Sequence, residues 1–179
     1  MTIPEKIQRV YLVGLMGSGK SSTGKLLAEV LGWKFVDLDE TVEEMAGMSI
    51  RAIFGAHGER YFRKLEGMVL HRSKYTNRVV YACGGGVVLE FGNRDFLKDE
   101  YVVWLDVSPA EAAGRIKSIE SRPMLAPTDD VADVLHNQLL DRQGKYDFVS
   151  NVKVPTGGVS PEGVATTILR KLEGGEFDA

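Results

Sequence analysis

Short apolar runs alternate along this chain with longer segments whose apolar residues recur every third or fourth position. The short runs predict five β-strands, at residues 9–13, 34–37, 79–82, 102–106 and 152–155. The periodic segments predict seven α-helices, at residues 20–31, 41–46, 49–54, 59–72, 109–117, 132–146 and 161–173. Strands that alternate with helices in this way predict an α/β fold in three layers, with helices on both faces of a parallel sheet.

The composition is that of an ordinary globular chain. Its 179 residues are 44% hydrophobic and 26% charged, so we expect residues 1–179 to form a single domain with a sizeable core. The net charge of −3 argues against a nucleic-acid partner. A single cysteine, Cys83, excludes an internal disulfide and is typical of a reducing compartment. No apolar run has the length of a membrane span and the first residues lack a secretory signal, so we expect a cytoplasmic protein without a membrane partner.

Residues 14–21 read GLMGSGKS and match the phosphate-binding pattern G-x-x-x-x-G-K-[ST] between a predicted strand and a predicted helix. Glycines let the backbone curl around a polyphosphate, while Lys20 would reach the β- and γ-phosphates and Ser21 would coordinate Mg²⁺. A plain glycine-rich turn is the alternative. The pattern predicts a nucleoside triphosphate site with these binding residues: Gly17, Ser18, Gly19, Lys20, Ser21 and Ser22.

Two acids follow the second predicted strand. Asp37 and Asp39 are two residues apart, so an extended backbone would direct both carboxylates to the same face, toward the phosphate-binding loop. One acid would hold the hydrated Mg²⁺, and the other would accept a proton or a hydrogen bond from an acceptor hydroxyl. Alternatively, Asp39 caps the helix that is predicted to begin near residue 41.

A second charged pair and a glycine run predict a site for an anionic acceptor. Arg63 and Glu66 are three residues apart on a predicted helix, so Glu66 could orient the guanidinium toward a carboxylate ligand, although a solvated surface pair would show the same spacing. Residues 84–86 are three glycines directly after a strand, which allows a ligand to approach the backbone closely. We interpret Cys83 beside them as a small packing residue.

Residues 117–130, KSIESRPMLAPTDD, interrupt two helical patterns and carry Arg122 before a proline. A mobile flap that brings an arginine over the γ-phosphate would exclude water and stabilise the transferring charge. An ordinary exposed loop is the alternative. Arg115 and Arg142 lie on the helices before and after this segment, which predicts a basic cluster around an anionic pocket despite the acidic total.

These motifs together resemble the shikimate kinases in order and spacing. The resemblance rests on GLMGSGKS, Asp37-Leu38-Asp39, Gly58-Glu59 with Phe62-Arg63 and Glu66, Gly84-Gly85-Gly86, Arg122-Pro123-Met124-Leu125 and the segment from Arg142 to Tyr146. It implies a nucleoside-monophosphate-kinase-like P-loop fold with a five-stranded parallel sheet in the order 2-3-1-4-5. It also implies acceptor-binding helices within residues 39–75 and a lid at residues 117–130. The implied reaction is ATP-dependent phosphorylation of the shikimate 3-hydroxyl, on the route to chorismate and the aromatic amino acids.

The resemblance also implies roles for single residues on the acceptor side. Asp39 is similar to the residue that binds the shikimate hydroxyls and assists deprotonation. Arg63 and Arg142 resemble the pair that binds the shikimate carboxylate, with Glu66 orienting Arg63. The implied backbone contacts come from Gly85 and Gly86.

On the nucleotide side the resemblance implies that Lys20, Arg122 and one Mg²⁺ ion carry the transition-state charge, with Ser21 and Asp37 near the metal. Arg115 resembles the arginine that stacks on adenine, and residues 153–161 resemble the adenine loop. Shikimate kinases commonly have a threonine or serine where this chain reads Ala82-Cys83. The hydroxyl that such a residue would place near the water shell of the metal is therefore in doubt here. We expect a monomer whose partners are ATP and shikimate.

Three alternative functions remain open at this point. A nucleotide switch or motor ATPase would use the same loop, but it requires water-positioning machinery that the sequence does not reveal. A catalytically silent binding module would have lost Lys20, Asp39 or an arginine of the carboxylate pair, and all of them are present. A kinase for gluconate or a nucleotide would share most of the motifs.

Overall fold

A parallel five-stranded sheet forms the centre of the computed structural model, which describes residues 3–116 and 130–174. The strands lie side by side in the order β2-β3-β1-β4-β5, and every neighbouring pair is parallel. Their bounds are Arg9–Val13 for β1, Lys34–Asp37 for β2, Val79–Ala82 for β3, Tyr101–Asp106 for β4 and Val152–Pro155 for β5. The predicted fold class and sheet order are therefore confirmed, with β4 beginning one residue earlier than predicted. The predicted lid at residues 117–130 lies, apart from Asp130, outside the described residues.

Seven α-helices connect the strands in the described part of the chain. They are α1 at Lys20–Leu31, α2 at Leu38–Ala46, α3 at Ile50–Arg72, α4 at Phe91–Lys98, α5 at Pro109–Arg115, α6 at Val131–Val149 and α7 at Pro161–Gly174. Short 3-10 turns follow α3 at Ser73–Tyr75 and precede α4 at Val87–Leu89. The sequence did not predict α4. The helix predicted at residues 109–117 ends earlier, at Arg115, because Ile116 has an extended backbone. None of the described helices is both long and apolar enough to cross a membrane.

The central strand β1 is buried on both of its faces, as expected when helices cover both sides of a parallel sheet. Tyr11 and Val13 pack into one core cluster with side chains of α2, α3, α4 and α6. Val10 and Leu12 pack into a second cluster with side chains of α1 and α7. This alternation follows from the two-residue period of a strand and produces the three predicted layers.

The strand register brings the carboxyl ends of the inner strands to one edge of the sheet. Leu12 and Asp37 both pair with Ala82, and Val13 pairs with Trp104. The phosphate-binding loop after β1, the start of α2 after β2 and the three glycines after β3 consequently meet there. Ligands of open α/β sheets bind at this edge.

Strand β2 ends at Asp37, as predicted, and the backbone does not stay extended as far as Asp39. Asp37 is the N-cap of α2, and its Oδ1 accepts a hydrogen bond of 3.0 Å from the backbone N–H of Asp39. The prediction that Asp37 and Asp39 share one face of an extended strand is therefore wrong, because capping bends the backbone into a helix at Leu38. The alternative in which Asp39 is the cap is also wrong, since Asp39 lies in the first turn.

Helix α3 spans the two helices that were predicted at residues 49–54 and 59–72. Its path is interrupted at Gly58, whose φ of 77° and ψ of 171° are not helical. A positive φ of this kind favours glycine because it lacks a Cβ. The first half of α3 begins at the cap Ser49, and the second half carries Arg63 and Glu66.

Candidate active site

A cleft of about 720 Å³ opens at the carboxyl edge of the sheet. All of the sequence-predicted site residues within the described ranges line it. They are Gly17, Ser18, Gly19, Lys20, Ser21, Ser22, Asp37, Asp39, Arg63, Glu66, Gly85, Gly86, Arg115 and Arg142. The remaining predicted residue, Arg122, lies outside the described residues.

The phosphate-binding loop, residues 14–21, has the backbone that its glycines predict. Gly14, Gly17 and Gly19 have φ angles of 139°, 78° and 92°. A Cβ at Gly17 would lie 2.5 Å from the carbonyl oxygen of Ala112, so packing against α5 also requires glycine there. Gly19 precedes α1 and provides no side-chain cap, which leaves the first N–H groups of the helix available for an anion.

Lys20 and Ser21 occupy the first turn of α1. The Lys20 ammonium group donates to the carbonyl oxygens of Gly14 and Leu15, at 2.9 and 2.7 Å, so it is held against the loop. The Ser21 hydroxyl donates to Asp37 Oδ2 at 2.7 Å. A hydroxyl and a carboxylate are thus adjacent beside the phosphate-binding loop, and both are hard oxygen ligands.

Arg63 is held on two sides by carboxylates. Its Nη1 donates to Glu66 Oε2 at 2.8 Å, while its Nε and Nη2 both donate to Glu59 Oε1, at 3.2 and 3.1 Å. Only 9% of the Arg63 side chain and 1% of the Glu66 side chain are exposed, so the solvated surface pair considered above is wrong. Burial lowers the pKa of Arg63, but Glu66 and Glu59 outweigh it and the net shift is upward.

The three glycines after β3 make room for the protein's own charged groups. A Cβ at Gly84 would lie 2.7 Å from Asp39 Oδ1 and 2.8 Å from Glu66 Oε1. A Cβ at Gly86 would lie 2.5 Å from both terminal nitrogens of Arg63. The sequence indicated a close approach of a ligand to this backbone, whereas the structure places two acids and a guanidinium against it.

Arg142 on α6 also contacts this glycine run. Its Nη1 donates to the Gly85 carbonyl at 3.2 Å and to Gln138 Oε1 at 3.1 Å. The Tyr146 hydroxyl donates to the same Gly85 carbonyl. The Arg142 side chain is buried, and its Nε has no hydrogen-bond partner among the described residues. Two arginines therefore converge on the short backbone segment from Gly85 to Gly86.

Glu66 is an acid of the cleft with a strongly raised pKa. Burial raises its pKa to about 7, against the opposing effect of Arg63. The Asp39 charge raises this pKa further, and Arg142 lowers it. The second oxygen, Oε1, is buried without a hydrogen-bond partner among the described residues. A carboxyl group with such a pKa beside Asp39 makes the charge of the site sensitive to pH near neutrality.

Arg115 joins the phosphate-binding loop to the segment after β5. Its Nη2 donates to the Thr156 carbonyl at 2.7 Å, and its Nη1 lies 3.5 Å from the Gly17 carbonyl. Thr156 in turn bonds to the Asp106 carbonyl at the end of β4. The guanidinium thus lies at the end of the cleft where the predicted adenine loop begins.

Several residues that line the cleft, or that contact its arginines and glycines, were given no role from the sequence. An apolar wall is formed by Ile50, Phe54 and Phe62 of α3. Glu59, which contacts Arg63, could have been found from its spacing of four residues on the predicted helix. The contact between Tyr146 and Gly85 spans 61 positions and has no local signal.

Cys83 is buried in the core cluster around β1 and β3, at the floor of the strand edge where the cleft lies. Burial raises the pKa of its thiol. This buried position agrees with the interpretation of Cys83 as a small packing residue. A thiol in such surroundings is protonated and inert at neutral pH.

The sheet order, together with a phosphate-binding loop, an acid and two arginines in one cleft, defines a P-loop kinase that acts on a small anionic molecule. The family model for shikimate kinase matches residues 16–173, and the chain belongs to this family. A shikimate kinase of Synechococcus sp. (strain CC9605) is 42% identical over 164 residues, which are 91% of this chain and 81% of that protein. The chain is therefore an ATP-using kinase rather than a nucleotide switch, a motor or a silent binding module.

Solved structures agree with this assignment. Shikimate kinase from Acinetobacter baumannii in complex with shikimate has a TM-score of 0.91 at 32% identity, and the match covers 97% of each chain. A gluconokinase from Sinorhizobium meliloti 1021 has a TM-score of 0.62 at 21% identity, covering 97% of this chain and 95% of that one. At this identity the second likeness concerns the fold alone, so it does not support the gluconate alternative.

Proposed function

We propose that this protein transfers the γ-phosphoryl group of ATP to the 3-hydroxyl of shikimate, giving shikimate 3-phosphate and ADP on the route to chorismate and the aromatic amino acids. The observation that carries the proposal is the convergence of Arg63 and Arg142 on Gly85 and Gly86 beside Asp39, in the same cleft as the phosphate-binding loop. Membership of the shikimate kinase family supports this choice of acceptor.

Arg63 and Arg142 bind the carboxylate of the acceptor in this proposal. Both guanidinium groups are buried, which strengthens their attraction for a carboxylate that enters the cleft. A guanidinium can form paired hydrogen bonds with a carboxylate, which a lysine cannot. Glu66 keeps Arg63 in place, and the backbone at Gly85 and Gly86 contacts the acceptor.

Asp39 acts on the hydroxyl that is phosphorylated. It takes the proton from the 3-hydroxyl as the oxygen forms its bond to the γ-phosphorus. The bond from that phosphorus to the β–γ bridging oxygen breaks, and ADP leaves with the bonding pair. Asp39 lies in the first turn of α2 and lines the same cleft as the phosphate-binding loop.

Ser21 and Asp37 fit a magnesium ion. Their oxygens are 2.7 Å apart beside the phosphate-binding loop, and Mg²⁺ is usually held by one or two protein oxygens together with water and substrate phosphates. When bound, the ion neutralises phosphate charge. Lys20 and the N-terminus of α1 bind the phosphate oxygens, and Arg115 contacts the adenine end. Arg122 supplies further positive charge in this proposal, although it lies outside the described residues.

An acceptor panel tests the proposed function directly. Release of ADP is measured with shikimate, gluconate and nucleoside monophosphates, each with MgATP and with ATP plus a chelator. Of these acceptors, we expect only shikimate to support the release of ADP. The chelator should abolish this release, and added Mg²⁺ should restore it. Turnover with gluconate or a nucleotide but not with shikimate would refute the acceptor, and full turnover in the chelator would refute the metal.

We also propose a cytoplasmic monomer. The support is the single cysteine, which needs no oxidising compartment, and a cleft in which one chain brings the phosphate-binding loop together with Asp39, Arg63 and Arg142. Light scattering during size-exclusion chromatography at micromolar concentration should give the mass of one chain. A mass of two chains would contradict the monomer.

A further inference from the structure

We propose that Glu59 is a positioning residue for acceptor binding, which with Glu66 fixes the guanidinium of Arg63 from two sides and so determines how tightly the acceptor carboxylate binds. This inference rests on the proposed function, because it assigns the carboxylate of the acceptor to Arg63. Arg63 and Glu66 line the cleft, and Glu59 binds the edge of the guanidinium that is formed by Nε and Nη2.

The hydrogen-bond inventory of Arg63 supports this arrangement. A guanidinium has five N–H donors. Three of them are used by the protein: Nε and Nη2 donate to Glu59 Oε1, and Nη1 donates to Glu66 Oε2. One N–H therefore remains on each terminal nitrogen, and two such donors are what a carboxylate needs for paired hydrogen bonds. The contacts with Glu59 and Glu66 thus leave two N–H groups of Arg63 for a ligand.

The two carboxylates act on Arg63 with different strengths. Glu66 is buried and its contact is 2.8 Å, which is normal for a charge-assisted hydrogen bond. Glu59 is 48% exposed, and one of its oxygens receives two donors at 3.1 and 3.2 Å. The Glu59 contact is therefore the weaker of the two, but it is the one that prevents rotation of the guanidinium about the bond to Glu66.

The backbone break at Gly58 places Glu59 in this position. The non-helical φ and ψ of Gly58 mean that Glu59 begins the second half of α3, four residues before Arg63. A carboxylate in the first turn of a helix is favoured by the helix dipole, and the spacing of four brings it over the arginine. Gly86 lies against the guanidinium on a third side, since a Cβ there would collide with both terminal nitrogens.

Glu59→Ala and Glu59→Gln test the proposal in steady-state assays with shikimate and ATP. Glu59→Ala should raise the KM for shikimate about two- to fivefold, the range expected for the loss of an exposed ion pair. The Gln variant retains an oxygen that accepts from Nε and Nη2, so its KM should lie between those of the wild type and the Ala variant. The kcat and the KM for ATP should stay within the error of the wild type.

Glu44→Ala is the matched control. Glu44 is an exposed acid on α2, so its removal takes the same charge from the protein without touching Arg63. We expect its KM for shikimate to equal that of the wild type. Melting temperatures of all variants check that each one is folded, and Glu59→Gln, which keeps the size of the side chain, remains measurable if the Ala variant is unstable.

Two results would overturn the inference while leaving the proposed function intact. A lower KM for shikimate in Glu59→Ala would mean that Glu59 mainly repels the acceptor carboxylate, and an unchanged KM would mean that Glu66 alone fixes Arg63. Failure of the proposed function has a different signature, since the wild type itself would then not phosphorylate shikimate.

Discussion

Replacing Gly86 by alanine tests whether the position of the Arg63 guanidinium controls acceptor use. The new methyl carbon would lie 2.5 Å from both terminal nitrogens, whereas ordinary contacts begin near 3.4 Å, so the guanidinium would have to move by about 0.9 Å. Alanine tolerates the backbone itself, because Gly86 has a φ of −98° and a ψ of 3°. Glu59 and Glu66 restrain the guanidinium, so it cannot move away freely.

A displacement of about 1 Å in a binding group can lower an enzymatic rate by about a hundredfold. We therefore expect kcat/KM for shikimate to fall by about this factor in Gly86→Ala, with most of the change in KM and little change in the KM for ATP. The assay is steady-state ADP release with each substrate varied in turn. Gly92→Ala is the matched control, since a Cβ at this exposed position on α4 meets nothing within 4 Å. A Gly86→Ala enzyme with a KM for shikimate within twofold of the wild type would refute the reasoning.

Four further predictions concern single side chains of the site. Arg63→Lys should raise the KM for shikimate more than about tenfold and leave that for ATP unchanged, because lysine cannot form paired bonds to a carboxylate. Asp39→Asn should lower turnover about a hundredfold or more in a folded protein. Arg122→Ala should lower turnover far more than it weakens the binding of either substrate. Burial raises the pKa of Glu66 to about 7, so the stability that this group contributes should fall as the pH rises toward and through 7. The melting temperature of Glu66→Gln, measured from pH 5 to 8, should not show this fall.

Each of these predictions has an outcome that contradicts it. Equal changes in both KM values would make Arg63 a structural residue, and more than half of the wild-type turnover in Asp39→Asn would leave Asp39 without a role in proton transfer. Normal turnover of Arg122→Ala would reduce the segment around it to an ordinary loop. A parallel decline of stability with pH in wild type and Glu66→Gln would assign the effect to another group.

The sheet and most of the site residues could be predicted because their signals are local. Strand runs, the phosphate-binding pattern and helical spacing each occupy a few consecutive residues. The conformation around Asp37 could not be predicted in this way. A sequence in which Asp37 continues a strand and one in which it caps a helix look the same, and only the hydrogen bond from Asp39 N–H to Asp37 distinguishes the two. Helix α4 was missed because it has only eight residues and no side-chain cap at Glu90.

The role of the three glycines shows a second limit. Their number indicated a close approach, but the groups that approach Gly84 and Gly86 come from α2 and α3, up to 45 positions away in sequence. Tyr146 and Arg142 reach Gly85 from α6 over similar distances along the chain. Contacts of this kind depend on the order of strands in the sheet, which the sequence gives only through a family resemblance.

The strand order also has a consequence for how such enzymes diverge. Apart from Arg142, the proposed acceptor residues lie in one continuous stretch from the end of β2 to the loop after β3, whereas the proposed nucleotide residues come from the loop after β1, from α5 and from the segment after β5. Strand β3 is hydrogen-bonded directly to β1, so a replacement stretch would inherit the correct placement relative to the phosphates. Exchange of this one segment would therefore replace most of the proposed acceptor contacts, while Arg142 and the phosphate-binding loop would stay in place.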